Sequence, residues 1–298
     1  MKKNRILALL LILALCMGLV ACSSSEPAGA VVNVSGDQPL KVHFIDVGQA
    51  DAILVQGPDD QNILIDAGNN ADSDLVVDYI KKQGVKGFKA VVGTHPHEDH
   101  IGGLDVVIRS FNVDSIYMPK VSSTTKTFRD VLKAVADKNM KVTTAAKGVS
   151  IPLSGMTAEF MGPVGTKYEE LNNYSAVLKL TYGSTSFLFQ GDAEALSERE
   201  MLESDISSKL KADVLKLGHH GSSNATSEKY LDKVNPKYAV IMVGKGNDYG
   251  HPHKETMALL KRKGITVYRT DENGTIVAES DGKTIKFNTD SGSYKSGL

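Results

Sequence analysis

One short segment, from Thr94 to Gly103, constrains the fold of this chain more than any other, and it reads Thr-His-Pro-His-Glu-Asp-His-Ile-Gly-Gly. The apolar run before it, residues 90–94, predicts a buried strand. The two glycines at its end allow close approach of the backbone and the start of a helix. Imidazole nitrogens and carboxylate oxygens are good zinc ligands. The segment therefore predicts a metal-binding loop, with His95 and His97 turned to one side and Asp99 and His100 to the other.

The distribution of histidines supports a metal site built from distant parts of the chain. Seven of the eight histidines fall in three tight clusters, at residues 95–100, 219–220 and 251–253. Histidines that serve only packing would be scattered. Neither of the two cysteines, Cys16 and Cys22, lies near these clusters, so metal binding falls to His and Asp.

Strand and helix signals alternate along the chain in two similar halves. Each half begins with several short apolar runs and continues with alternating helices and strands. The pattern predicts an α/β protein, an αββα sandwich in which two mixed β-sheets pack face to face with helices outside. Predicted strands cover residues 41–46, 52–56, 62–66, 90–94, 115–118, 148–153, 157–161, 175–181, 184–190, 213–217, 238–243, 265–269, 274–279 and 283–287. Predicted helices cover residues 73–83, 125–139, 193–203, 226–233 and 253–263, with one more after Gly103.

Four motifs together resemble those of the metallo-β-lactamase superfamily. Besides the histidine segment, they are Leu64–Gly68, Gln190–Glu194 and Leu215–Ser222. The resemblance implies that Asp66 supports the metal loop through hydrogen bonds, a role that fits the need of ligand histidines for partners on their second nitrogen. It also implies that Asp192 bridges two metals from the end of a strand.

Further motifs narrow the resemblance to one branch of that superfamily. Three segments are similar to the extracytoplasmic domain of ComEC-type DNA-uptake proteins. They are residues 44–52 (which contain Asp46), the His-His-Gly-Ser segment and Asn247–Pro252. They also resemble phosphorylcholine esterases. The similarity runs from about residue 40 to 287 and is more specific for the branch than for a substrate.

The resemblance implies two divalent metal ions, Zn²⁺ or alternatively Mn²⁺. The second ion is expected on Asp99, His100, Asp192 and His220. The superfamily's third motif usually supplies a histidine to the first ion, but residues 171–178 contain none. The first ion is therefore expected on His95, His97 and Asp192, with a water or the amide oxygen of Asn173. Asp66, Asp46 and Asn173 are expected to support the ligands from outside.

Three residues are candidates for catalytic roles. Asp192 would bridge the metals and orient the nucleophile, since paired metals lower the pKa of a water. Of the two adjacent histidines, we expect His220 to be a metal ligand and His219 to serve as an acid or a phosphate contact. His251 has two readings, a contact to the substrate or a helix-start residue beside Pro252.

These residues predict a metal-dependent hydrolase, first of all a phosphodiesterase with DNA as one candidate substrate. A lactonase or other ester hydrolase is an alternative, because the same nucleophile serves both reactions. A non-catalytic, metal-stabilised binding module is another. A formal charge of −1 for the whole chain does not favour sequence-independent DNA binding. Local basic surface could still come from lysines near the candidate loops, namely Lys120, Lys126, Lys216, Lys245 and Lys254. We expect no protein partner.

The N-terminus predicts export and lipid attachment. Lys2, Lys3 and Arg5 precede an uncharged apolar run, residues 6–20, which is typical of a secretory signal peptide. Residues 19–22, Leu-Val-Ala-Cys, resemble a bacterial lipobox. The expected layout is a signal peptide at 1–21, a tether at 22–38 with a lipid on Cys22, a domain at 39–290 and a tail at 291–298. The mature chain would have a charge of about −4 and be held at the outer face of the cell membrane.

Overall fold

The computed structural model describes residues 38–297. Cys22 and the predicted signal peptide lie outside the described residues, as does nearly all of the predicted tether. Seventeen strands and eight α-helices make up this part of the chain, with short 3-10 turns between them. The strands are β1 Leu40–Phe44, β2 Ala52–Gln56, β3 Ile63–Ala67, β4 Gly87–Phe88, β5 Ala90–Val92, β6 Asn112–Val113, β7 Ile116–Met118, β8 Val142–Thr144, β9 Ser150–Ile151, β10 Thr157–Phe160, β11 Leu178–Tyr182, β12 Thr185–Phe189, β13 Val214–Lys216, β14 Tyr238–Ile241, β15 Thr266–Arg269, β16 Ile276–Ser280 and β17 Ile285–Phe287. The helices are α1 Ser73–Lys82, α2 Glu98–Ile101, α3 Leu104–Ser110, α4 Lys126–Asp137, α5 Ala195–Glu203, α6 Glu228–Val234, α7 Lys254–Lys263 and α8 Thr270–Asn273.

Two mixed sheets carry the fold. The first has eight strands in the order β17-β16-β1-β2-β3-β5-β7-β8, and the second has seven in the order β15-β14-β13-β12-β11-β10-β9. In the first sheet β3, β5, β7 and β8 run parallel, and in the second β12 to β15 do. A separate two-stranded ribbon pairs β4 with β6.

Three buried apolar clusters hold together four layers, namely helices, two sheets and helices. One cluster lies between the sheets and joins, for example, Phe44 of β1 to Phe189 of β12. A second joins the outer face of the first sheet to α1, α3 and α4. A third joins the outer face of the second sheet to α5, α6 and α7. Because each sheet is buried on both faces, its central strands are continuously apolar. The predicted αββα sandwich is confirmed.

The two sheets do not correspond to the two halves of the sequence. The last two strands return to the first sheet, where β16 pairs antiparallel with β1 and places Val277 opposite His43. This pairing covers an edge of β1 that the first half alone would leave open. Five further elements were not predicted, and all are short: the strands β4, β6 and β8 and the one-turn helices α2 and α8. The helix expected after Gly103 is α3, whereas α2 is an additional turn that begins at Glu98, inside the histidine segment.

The topology places the candidate residues at one end of the sandwich. Asp66 lies at the carboxyl end of β3, and the histidine segment follows β5. In the other sheet, Asp192 follows β12 and the histidine pair follows β13. Carboxyl ends of parallel strands meet at the same sheet edge, and ligands bind there in open α/β sheets.

Residues 291–297 lie against the domain. The N–H of Gly292 donates to the carbonyl of Val267 at 2.7 Å, and the hydroxyl of Tyr294 donates to the carbonyl of Ile265 at 2.6 Å. The N–H of Gly297 donates to the carbonyl of Pro252 at 3.0 Å. Within residues 38–297, no helix combines the length and apolar character needed to cross a membrane.

His43 gives the fold a specific pH dependence. The side chain is 3% exposed on β1, its Nδ1 lies 2.9 Å from the hydroxyl of Tyr79, and burial lowers its pKa to about 4. The unfolded chain takes up this proton near pH 6.5, so stability is complete above that pH and is lost as the pH falls from 6.5 towards 4. Between pH 7 and pH 5 we expect a loss of roughly 2 kcal/mol, measured by urea unfolding, that His43→Gln removes.

Tyr79→Phe is the matched control for this prediction. It removes the hydroxyl near Nδ1 but leaves His43 buried, so the pH dependence should persist. An equal pH dependence in His43→Gln and in the unmodified protein would contradict the assignment.

Candidate metal centre

The histidine segment is held close to the first sheet by its glycines. His95 lies in a bend after β5, and His97, whose backbone is extended, precedes the first turn of α2, which carries Asp99 and His100. A Cβ on Gly102 would lie 2.2 Å from the backbone of Asn69 and Asn70. The segment therefore needs glycine here to reach its position beside β3.

Four side chains from three separate segments converge. One donor atom each from Asp99, His100, Asp192 and His220 lies within 4.8 Å of the others. His100 Nε2 is 3.2 Å from Asp192 Oδ1, and His220 Nε2 is 3.2 Å from Asp99 Oδ2. These are the four residues expected to hold the second metal ion.

Outer partners fix which nitrogen of each imidazole faces this group. His100 Nδ1 lies 2.8 Å from Asp66 Oδ2, and His220 Nδ1 lies 2.9 Å from the carbonyl oxygen of Met242. Each Nδ1 therefore donates its proton outward and leaves Nε2 for a ligand, the arrangement typical of metal-binding histidines. Asp66 also accepts from the N–H of Thr94 at 2.8 Å and from its hydroxyl at 2.7 Å, so it ties the segment to β3.

The residues present fit a divalent cation. His100 Nε2 and Asp192 Oδ1 are buried polar atoms with no hydrogen-bond partner, and they face one another. Buried polar atoms are almost always satisfied, so such a pair is the environment expected of an ion-binding site. Two imidazoles and two carboxylates are also a suitable donor set for zinc or manganese.

The residues expected to hold the first ion are less converged. His95 Nε2 lies 2.9 Å from His97 Nδ1 and 4.0 Å from Asp192 Oδ2. Among the described residues, these three do not form a group with donors all within 4.8 Å. Ser175 supports this side, because its hydroxyl lies 3.4 Å from His95 Nδ1 and accepts from the N–H of Asp192 at 3.0 Å.

Two expected supporting residues have other partners in the structure. The amide oxygen of Asn173 accepts from the N–H of Ser197 at 3.2 Å, so it caps the first turn of α5. Asp46 accepts from the N–H of Gly48 at 3.2 Å and shapes a local turn. A nearby carboxylate, Asp51, has the support role that the motif suggested for Asp46.

Asp51 and Lys216 form a buried ion pair beneath the ligands, and sequence reasoning missed it. Lys216 was expected on a basic surface but is 1% exposed. Its Nζ contacts Asp51 Oδ2, lies 3.9 Å from Asp192 Oδ1 and donates to the carbonyl of Gly191 at 3.1 Å. Asp51 also lies 3.5 Å from His220 Nδ1 and 3.7 Å from His100 Nδ1. The pair thus contacts three of the four converged ligands.

The charges of this group follow from its burial and its partners. Burial opposes ionisation of Asp192, but His100 and His220 hold its pKa well below the ordinary value. Burial likewise opposes the charged imidazoles, yet Asp192 and its neighbours raise the pKa of His100 well above normal and that of His220 to about 10. For Asp51, burial is again outweighed, here by Lys216, and its pKa is lowered. The carboxylates are therefore ready to receive a cation, which would displace the imidazole protons.

The histidine pair adopts an unusual backbone. His219 and His220 both lie in the left-handed region, with φ of 48° and 53°. Such conformations in non-glycine residues carry strain and concentrate at functional sites. This backbone sends the two rings in different directions, so that His220 is buried in the ligand group while His219 is 25% exposed.

His219 is oriented by polar neighbours on its outer side. Its Nδ1 lies 3.1 Å from Asn224 Oδ1 and 3.3 Å from Glu194 Oε1. Its Nε2 lies 3.9 Å from Asp192 Oδ2. The ring thus presents Nε2 to the cavity above the ligands.

A cavity of about 310 Å³ opens above the converged ligands. His251 lines it and is buried, and its Nδ1 lies 3.4 Å from the amide nitrogen of Gln49. Burial, with His220 and His219 nearby, lowers the pKa of His251 to about 4, so this ring is neutral at ordinary pH. The other lining residues are Gln49, His97, Glu98, Asp99, Asn172, Asp192, His219, His220 and Tyr249.

Comparison with known proteins gives a consistent result. Residues 45–245 match the model of the metallo-beta-lactamase superfamily. The chain is 30% identical over 253 residues to ComE operon protein 3 of Bacillus subtilis, a match that covers 79% of this chain and 32% of that protein. It is 29% identical over 232 residues to competence protein ComA of Neisseria gonorrhoeae, covering 78% of this chain and 31% of ComA. The chain thus spans about a third of the length of these relatives.

A solved structure also shares the fold. The metallo-beta-lactamase fold protein YhfI from Bacillus subtilis superimposes with a TM-score of 0.55 at 15% identity, over 82% of this chain and 100% of that one. At this identity the match bears on the fold alone.

Proposed function

Because the chain belongs to the metallo-beta-lactamase superfamily and has ComEC-like competence relatives, as its motifs predicted, we propose that it is a metal-dependent phosphodiesterase. Members of this superfamily are mostly metal-dependent hydrolases. The observation that carries the proposal is the buried, unpartnered pair His100 Nε2 and Asp192 Oδ1 inside a group of four converged ligands. A binding module has no evident need for such a group at the floor of an open cavity.

Asp99, His100, Asp192 and His220 would hold the second divalent ion, and His95 and His97 would hold the first beside Asp192. The less converged geometry of the first set supports weaker binding there. Bound ions in such a site supply a water of lowered pKa and neutralise charge on a phosphoryl oxygen.

The chain's own residues have separate tasks in this proposal. Asp66 and the carbonyl of Met242 hold the imidazoles with Nε2 inward. Lys216 and Asp51 hold Asp192 and His220 from below. His219, partly exposed with Nε2 towards the cavity, donates a proton from Nε2 to the leaving oxygen when its ring is protonated. His251 is buried and neutral and contacts the substrate from the cavity wall.

The phosphodiester class is supported by the competence relatives, and DNA is one candidate substrate. A substrate panel tests it. The purified, metal-loaded chain should hydrolyse bis-p-nitrophenyl phosphate faster than p-nitrophenyl acetate or a simple lactone. Turnover of the lactone alone would overturn the proposal in favour of a carboxylic-ester hydrolase. Metal bound without turnover of any of the three would favour a binding module.

We also propose that the chain is anchored by lipid at Cys22 outside the cell membrane, which rests on the charged start, the apolar run and the Leu-Val-Ala-Cys sequence. Expressed in a bacterium with lipoprotein processing, the full chain should sediment with membranes. Cys22→Ser should move most of it to the soluble fraction. An unchanged distribution in Cys22→Ser would argue against a lipid on this residue.

A further inference from the structure

One exposed aromatic ring stands beside the metal centre. Tyr249 lies in the loop between β14 and α7, lines the cavity and is 69% exposed. Among residues 38–297, the other two large apolar side chains with substantial exposure, Leu75 and Leu132, are less exposed and lie on α1 and α4. Packing therefore does not explain the position of the Tyr249 ring.

The loop holds this ring in place. The amide oxygen of Asn247 accepts from the N–H of Tyr249 at 3.1 Å and from the N–H of His251 at 3.0 Å, and its amide nitrogen donates to the carbonyl of Gly244 at 2.9 Å. The carbonyl of Tyr249 lies 3.2 Å from His253 Nε2. A ring presented on a braced backbone loses little further freedom when a ligand binds to it.

Three rings run nearly parallel from the metal ligands outward. His251 lies 6.3 Å from His220 with 27° between the planes, and Tyr249 lies 5.6 Å from His251 with 20° between the planes. His251 lies against one face of Tyr249, so a planar group placed against the other face would share the orientation of the stack, with the rings of Tyr249 and His251 between it and His220.

The charge of the cavity wall limits how a phosphodiester can be recognised. None of its described lining residues is Lys or Arg, and of its three carboxylates Asp99 and Asp192 would bind the metal, which leaves Glu98 as the carboxylate outside the ligand group. Binding of a long nucleic-acid strand depends on Lys and Arg that neutralise many phosphates, and it weakens steeply with salt. This wall is therefore poorly suited to binding a long nucleic-acid strand. It is better suited to a small ligand that has one aromatic group next to one phosphate.

We propose that Tyr249 determines specificity by stacking on the nucleobase of a nucleoside phosphodiester, one nucleotide at a time. The inference rests on the proposed phosphodiesterase function and deepens it by naming the substrate class. Stacking of a base on an aromatic side chain tolerates any base, so discrimination among bases is expected to be small.

The test compares two esters with the same leaving group, thymidine 5′-p-nitrophenyl phosphate and methyl p-nitrophenyl phosphate. The unmodified protein should prefer the thymidine ester in kcat/KM by roughly 10- to 100-fold. Tyr249→Ala should lower kcat/KM on the thymidine ester by roughly this factor more than on the methyl ester, so that the preference is lost, whereas Tyr249→Phe should keep it. Leu132→Ala, a truncation at an exposed position on α4, is the control.

A binding measurement separates failure of this inference from failure of the proposed function. Calorimetry should show that thymidine 5′-monophosphate binds more tightly than methyl phosphate, that Tyr249→Ala removes the difference, and that salt has a small effect. A preference that survives Tyr249→Ala in both assays would overturn the role of Tyr249. Steeply salt-dependent binding of a long DNA strand would overturn the one-nucleotide mode. Binding that follows Tyr249 without turnover of either ester would overturn the phosphodiesterase function alone.

Discussion

Asp192→Asn is expected to weaken metal binding by at least about 100-fold and to reduce diester turnover on the order of 10³-fold. In the described part of the chain, Asp192 is the carboxylate that lies within 4.0 Å of His100, His220 and His95 alike, at 3.2, 3.7 and 4.0 Å. Asn keeps the shape but removes the negative charge and one strong ligand oxygen. Loss of outer-shell partners alone costs roughly 10–100-fold in metal affinity, so loss of a shared ligand should cost more. A metal ion stabilises the charge of the transition state by several kcal/mol. Since about 1.4 kcal/mol corresponds to a tenfold change in rate, loss of the metal should slow turnover by the stated factor.

Glu98→Gln is the matched control, because Glu98 lies in the same segment but is exposed. It makes the same chemical change and should keep metal content within about twofold. Metal content is measured by elemental analysis after equilibration with a competing chelator, and turnover with bis-p-nitrophenyl phosphate. If Asp192→Asn keeps its full metal content, Asp192 is not a ligand of either metal ion.

Most of the fold could be predicted because its strands are short, apolar and bounded by turn residues. Periodicity identifies an element but not its neighbours in a sheet. The return of β16 to pair with β1 depends on which edge is left open, a property of the assembled sheet. The short helix α2 was missed since Glu98–Ile101 has one turn and too few residues to show a period.

The converged ligand group was predicted from motifs, but most of what surrounds it was not. Ser175 contacts His95 and carries no local signal, while Asp51 contacts His220 and lies in the motif at residues 44–52, in which Asp46 was the residue expected to support the ligands. Lys216 was expected near the surface, since lysine is rarely buried unless it is paired. Glu198 is another case, a fully buried carboxylate on α5 that accepts from the N–H of Ser227 at 2.9 Å, at the start of α6. The burial of a charged side chain can be predicted only when its partners in the folded structure are known.

Lys216→Met is expected to destabilise the metal-free protein by about 3–5 kcal/mol. The ammonium is buried between Asp51 and Asp192, and its pKa is raised because these carboxylates outweigh burial. Met fills a similar volume but leaves Asp51 without its ammonium partner and removes one of the cations near Asp192. Removal of one partner of a buried ion pair has this cost because the remaining charge is uncompensated. The measurement is urea unfolding with excess chelator, so that metal binding does not add to stability.

The double variant Lys216→Met/Asp51→Asn identifies the cause. If the uncompensated Asp51 charge is responsible, the double variant should be more stable than the sum of the single changes by about 1–3 kcal/mol. Lys209→Met is the surface control: Lys209 pairs with Glu159 at 2.7 Å but is 53% exposed, and exposed pairs are worth about 0–1 kcal/mol. Additive single changes would contradict the charge argument. An effect of Lys216→Met no larger than that of Lys209→Met would show that Lys216 does not compensate buried charge at the metal centre.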